Sequence, residues 1–206
     1  MTGRQQERSE TTRTRLMEAT VDCLVELGWS GTTTTLVSQR AGVSRGAQLH
    51  HYPTRAELVI AAVQHIGRAR FAEARAEAAL LLAGPGRTEA VLAMLARIHT
   101  GTLFRATLEL WVAARTDAAL RAVVMPWEAE LGRETHRLTL ELLGADESVA
   151  GVREAVQQTL DMVRGLGISA LLTDDTVRRE ALLADWARHL DARLGVRSPT
   201  SAGRPS

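Results

Sequence analysis

The chain has 206 residues, 45% hydrophobic, 24% charged and 3% aromatic, with a formal net charge of +1. That is long enough to bury a good core, as one small module plus one larger domain, and too nearly neutral for charge alone to argue for any partner. The single Cys23 excludes an internal disulfide and suits a reducing cytoplasm, no signal peptide is recognised, and no apolar run is long enough to cross a membrane.

Residues 1–8 are polar and read as a disordered N-terminus. From about Ser9 to Leu27 the spacing is helical: Leu16, Thr20, Cys23, Leu24 and Leu27 share one stripe, with Arg13, Glu18, Asp22 and Glu26 off it. Gly28 ends this helix and Trp29-Ser30-Gly31 connects it onward. Cys23, on the stripe, reads as a small core residue.

The stretch Thr32–Tyr52 then reads as two short helices joined by a tight turn. Thr33 is the N-cap of the first, Val37 and Ala41 face one way, and Gly42 supplies the positive φ that ends it. Val43 plugs the angle and Ser44 caps the second helix, which runs from Arg45 to His51 and carries an arginine, a glutamine and two histidines. This is the pattern of a helix-turn-helix, motif about 33–52, with a base-reading second helix. No acidic residue lies between Glu26 and Glu57, whereas Arg40, Arg45 and Arg55 do, which suits a phosphate backbone. All 25 basic residues of the chain are arginine, a bias too uniform to mark a site.

Pro53 breaks the recognition helix, and Thr54 with Glu57 forms a capping box for a long helix over about 55–82. Gly84-Pro85-Gly86 is a break. Helices follow over about 88–99, 102–114 and 117–143, the last with a kink or split expected at Pro126. After a loop over 144–151 come two more helices, about 148–173 and 175–194, and a disordered tail over 196–206. No strand-like alternation appears. The expected fold is all-α with about nine helices: a three-helix helix-turn-helix domain over 9–55 and a larger helical domain over 56–195.

Roughly residues 9–68 resemble the DNA-binding domain of the TetR family of transcriptional repressors. The resemblance rests on the helix ending in Leu-Gly-Trp, the Thr run, Arg-Ala-Gly-Val-Ser-Arg-Gly-Ala, and His-His-Tyr-Pro-Thr-Arg-Ala-Glu-Leu. It implies DNA contacts by Thr33, Thr34, Thr35, Arg45, Gly46, Gln48, Leu49, His50, His51, Tyr52 and Arg55. Arg45 has the fork for guanine and Gln48 the amide for adenine, while Thr hydroxyls, histidines and Arg55 suit phosphates. Duller roles stand beside these: Thr33 as a cap only, Tyr52 as packing, and His50 and His51 as solvated. The family most often has Leu-Tyr where this chain has Gln48-Leu49. Either Leu49 packs and Gln48 reads DNA, or the helix is slightly rotated.

The resemblance also implies that the second domain dimerises and binds a small-molecule inducer. The dimer surface is expected on the last two helices, through Val156, Leu160, Val163, Gly167, Ala170, Trp186 and Leu190, the alternative being that this stripe packs within its own chain. Large or soft side chains on the middle helices, Phe71, Met94, His99, Phe104, Trp111, Met125, Trp127 and Met162, are the candidate pocket, with plain core as the alternative. No phosphate loop, Glu-x-x-His pair or activated nucleophile is present, and the six histidines are scattered. The expected function is therefore a regulator rather than an enzyme, with no metal or cofactor. Its partners would be a double-stranded DNA operator, an inducer and a second copy of the chain. Activator, inducer-free DNA binder and helical ligand carrier are the alternatives.

Overall fold

The computed structural model describes residues 3–81 and 86–195, the side chains of 3–5, 70, 71, 74 and 77–81 excepted. The described residues form nine helices and no strand: α1 (Gly3–Gly31), α2 (Thr34–Ala41), α3 (Arg45–His51), α4 (Arg55–Leu81), α5 (Arg87–Thr100), α6 (Thr102–Ala114), α7 (Ala118–Leu143), α8 (Val152–Ser169) and α9 (Thr176–Leu194). Most of the expected punctuation is present, and three elements differ, α8 by being about four residues shorter at each end than the helix expected over 148–173. Helix α1 begins at Gly3, so the segment expected to be frayed is already helical. Helix α7 runs through Pro126 without a split. The carbonyl freed by the proline is that of Ala122, and both residues are exposed, so water can take the lost hydrogen bond. The expected tail over 196–206 lies outside the described residues.

The chain gathers into two compact units, divided elsewhere than at residue 55. The first unit takes the chain through Glu73 together with Gly101–Leu131; the second takes Ala74–Thr100 and the described chain from Gly132 onward. In the first, α1 packs against both α2 and α6. Leu16, Leu24, Val37, Leu58, Val63, Leu110 and Leu120 make its core. Cys23 is fully buried among them, and burial pushes its thiol pKa up, which keeps it inert. The break at the end of α1 requires glycine. Gly28 has φ 65° and ψ −177°, and a Cβ there would lie 2.7 Å from the Glu109 carboxylate.

In the second unit α5 packs against α8 and α9. Arg87, at the start of α5, donates to the carbonyls of Leu142 (2.6 Å) and Glu141 (3.2 Å), so a guanidinium caps the end of α7. Thr88 hydrogen-bonds Asp191, and Trp186 Nε1 donates to Thr159 Oγ1 at 2.9 Å. These bonds tie α5 and α8 to α9. The stripe expected at a dimer surface is core here: Val156, Leu160, Val163 and Leu190 are at most 3% exposed. Gly167 is buried, and Ala170 and Trp186 are half-buried. The reason is the partner helix α5, whose Val91, Leu92 and Leu95 supply the apolar surface that the stripe needs.

Candidate nucleic-acid interface

The helix-turn-helix is set by caps at every corner. Thr33 Oγ1 accepts the Leu36 N–H at 3.2 Å, which starts α2. Gly42, at φ 63°, ends it, with its N–H on the Gln39 carbonyl and the Val43 N–H on that of Ser38. Ser44 Oγ accepts the Ala47 N–H at 3.2 Å and starts α3. The Tyr52 N–H on the Gln48 carbonyl closes α3. Thr54 and Glu57 then exchange reciprocal bonds of 3.0 and 3.2 Å, the capping box that starts α4.

These corners decide which side of α3 faces out. At 100° per residue, Arg45, Gly46, Leu49 and His50 fall on one arc, and all four are exposed. Ala47, Gln48 and His51 fall on the other, where Gln48 is fully buried and the other two are half-buried. Gln48 Nε2 donates to the Tyr52 carbonyl at 2.6 Å, and Gln48 Oε1 has no partner. Of the two alternatives, the one in which Leu49 packs and Gln48 reads bases is not the arrangement seen, because the glutamine is turned in and the leucine out. An amide turned inward and bonded to the backbone offers nothing to a base edge, and Leu49 is 43% exposed.

Two further expected contacts have inward roles. Tyr52 is 8% exposed and belongs to the core of the first unit. Arg55 donates Nη1 to the Trp29 carbonyl at 3.2 Å and lays its guanidinium 3.9 Å from the Trp29 ring centroid. It clamps the start of α4 to the segment before α2, because a planar cation is satisfied by an aromatic face and a carbonyl together. Arg40 is held by Glu26 at 2.6 Å.

What remains outward is a continuous set. Thr35 is exposed and Thr34 half-buried at the first turn of α2, where the backbone N–H groups have no helical carbonyl to donate to. Arg45, Gly46, Leu49 and His50 follow on α3. Burial first, then the charges of His50 and Arg13, hold the His51 imidazole below its usual range. Arg13 on α1 is therefore a neighbour of the end of α3. Arg15 lies at the turn itself, with its Nη2 3.3 Å from where a Cβ on Gly42 would sit. Both arginines are exposed, and neither makes an ion pair among the described residues. At 100° per residue Arg15 falls on the face away from Leu16 and Leu24, a signal the sequence carries, whereas Arg13, expected off the apolar stripe, falls between those leucines one turn nearer the N-terminus, and its place in the interface shows only in its proximity to His51.

The candidate pocket residues divide between the units. Phe104, Trp111, Met125 and Trp127 belong to the first, and Met94, His99 and Met162 to the second. Met125 is 63% exposed, so it lines no enclosed space. Phe104 and Trp127 are buried, and Trp111 donates Nε1 to Glu128 at 3.0 Å. The Phe71 side chain lies outside the described residues. Among the described residues no cluster of His, Cys, Asp or Glu could hold a metal ion, and no helix is long and apolar enough to cross a membrane.

Comparison with known proteins agrees with this geometry. Residues 16–62 match the family model described as bacterial regulatory proteins, tetR family. The HTH-type transcriptional regulator CymR of Pseudomonas putida is 32% identical over 182 residues, covering 85% of this chain and 87% of that one. A transcriptional regulator from Rhodococcus sp. Rha1 has the same fold, with a TM-score of 0.68 at 20% identity over 90% of this chain and 99% of that one. So does the multidrug binding protein EbrR, solved in complex with ethidium, with a TM-score of 0.58 at 23% identity over 85% and 97%. With a capped helix-turn-helix, a match across that motif and a relative alike over most of both chains, this chain belongs to the TetR family of transcriptional regulators.

Proposed function

We propose that the chain is a homodimeric repressor that binds a palindromic operator and is released from it by an apolar small molecule. The observation that carries the DNA half of this reading is the outward arc of α3, Arg45, Gly46, Leu49 and His50, beside the polar first turn of α2. Arg45 reads guanine with its fork; Thr34, Thr35 and His50 donate to phosphates. Arg13 and Arg15 extend the phosphate contacts onto α1. Gln48, Tyr52 and Arg55 hold the reading surface in place, and Thr33 caps it.

A two-fold operator needs a two-fold protein, with recognition helices about 34–36 Å apart. The apolar residues left outward at the end of α8 and along α9 support a contact between copies: Ile168, Leu171, Leu172, Val177 and Leu182, at 47, 45, 94, 82 and 40% exposure. Gly165, on the same stretch, has open space where a side chain would stand. This surface replaces the buried stripe as the dimer candidate. For release, the ligand binds the DNA-incompetent arrangement more tightly than the competent one. The ethidium complex of EbrR supports a ligand with a flat aromatic, largely hydrocarbon body here, ethidium itself being an organic cation.

Electrophoretic shift with random-sequence selection, run at low salt, tests the reading. A palindromic consensus with two half-sites is the expected result. Enrichment of a single unrepeated half-site refutes the dimer, and no enrichment refutes sequence-specific binding.

A further inference from the structure

We propose that Leu49 reads the C5-methyl group of a thymine in the major groove and sets this regulator's base preference at that position. The inference rests on the DNA-binding reading above and names what that reading leaves open.

Leu49 stands between Arg45 and His50 on the exposed arc of α3 and is 43% exposed. A lone exposed leucine elsewhere on a protein needs no explanation. Here two features distinguish it. The neighbouring inward position is already filled, because Gln48 is fully buried and bonded to the Tyr52 carbonyl, so Leu49 is not required by the core. And Gly46, three residues earlier on the same arc, has nothing within 4 Å of where a Cβ would stand. A bare backbone beside an apolar side chain lets α3 lie close to the base edges at that point.

The chemistry then selects the partner. Arg45 and His50 can donate to phosphates or to base acceptors. Leu49 carries no donor or acceptor, so it gains nothing from a phosphate and would desolvate one at a cost. The apolar group that the major groove displays is the thymine methyl. A leucine one turn along from Arg45 therefore suits a step in which a guanine is followed, within the next few base pairs, by a thymine on either strand.

The test uses the full chain and the operator returned by selection. Each thymine of one half-site is replaced in turn by deoxyuridine, which removes only the methyl group. For the unaltered protein one position is expected to lose affinity by about fourfold, the worth of one buried methyl. In Leu49→Ala that loss disappears while the thermal midpoint stays within a degree or two, since the side chain is half in water. Leu49→Met, apolar and of similar size, keeps the methyl sensitivity. An operator with no methyl-sensitive thymine, or one equally sensitive with Leu49→Ala, overturns the assignment and leaves the DNA-binding reading intact. If selection enriches no sequence, the reading itself fails and the Leu49 assignment falls with it.

Discussion

Gln48 separates a packing residue from a base-reading one, and its replacement gives different numbers in the two cases. The side chain is fully buried, with Nε2 on the Tyr52 carbonyl and Oε1 unpartnered. Gln48→Ala removes one neutral hydrogen bond, worth about 1 kcal/mol, and one buried methylene, worth about 0.8 kcal/mol. An unrelaxed cavity of roughly 50 Å³ adds about 1 kcal/mol more. Removing the unpartnered oxygen gives back about 1 kcal/mol, the lower end for a buried unsatisfied group. The net loss is about 2 kcal/mol, a fall in thermal midpoint of roughly 4–8 °C for a chain of this size. Gln48→Leu refills the space without a polar atom, so it should stay within about 1 kcal/mol of the native chain. Denaturant unfolding measures both variants, and competition gel shifts against the operator and its single-base variants measure preference. Both are expected to keep the native order of preference. Native stability in Gln48→Ala, together with a loss of preference of about 1–3 kcal/mol at one base pair, would refute this packing role.

Arg13→Ala and Arg15→Ala should each weaken binding equally for all sequences and lower the slope of log affinity against log salt by about 0.9; a titration between 50 and 200 mM salt reads this, and an unchanged slope removes the residue from the interface. Gly42→Ala should cost about 1–2 kcal/mol in a denaturation curve, because an L side chain at φ 63° is strained. The Arg15 guanidinium nearby can move aside and adds little. His99 is 7% exposed and, since Nδ1 lies 2.8 Å from the Leu95 carbonyl, carries its proton there. Burial holds its pKa below the ordinary 6.5, the Leu95 bond opposing and Arg164 adding to the fall. The folded state thus takes up the second proton less readily than the unfolded chain. Stability should be level above about pH 6.5 and should fall as pH drops below it. In His99→Gln that slope should be reduced in thermal melts taken from pH 7.5 to 5.

Local chemistry was enough to read the helix-turn-helix. Thr33, Gly42, Ser44, Thr54 and Glu57 act on backbone groups within a few residues of themselves, so their caps are written in sequence order and appear in the structure at those positions. The same locality made the helix count and the breaks at Gly28 and Gly144 legible. What sequence left open was which way each face turns. Gln48 and Leu49 differ by 100° around α3, and only the packing of α3 on its own unit decides that the amide goes in and the leucine out. Arg55 could meet a phosphate or an indole, and the choice was made by Trp29, 26 residues away. The Val156–Val163 stripe on α8 could meet a second copy or its own chain, and α5 covers it. An apolar or cationic face states that it needs a partner; which partner it finds depends on contacts between residues far apart in sequence, and only the tertiary structure supplies those.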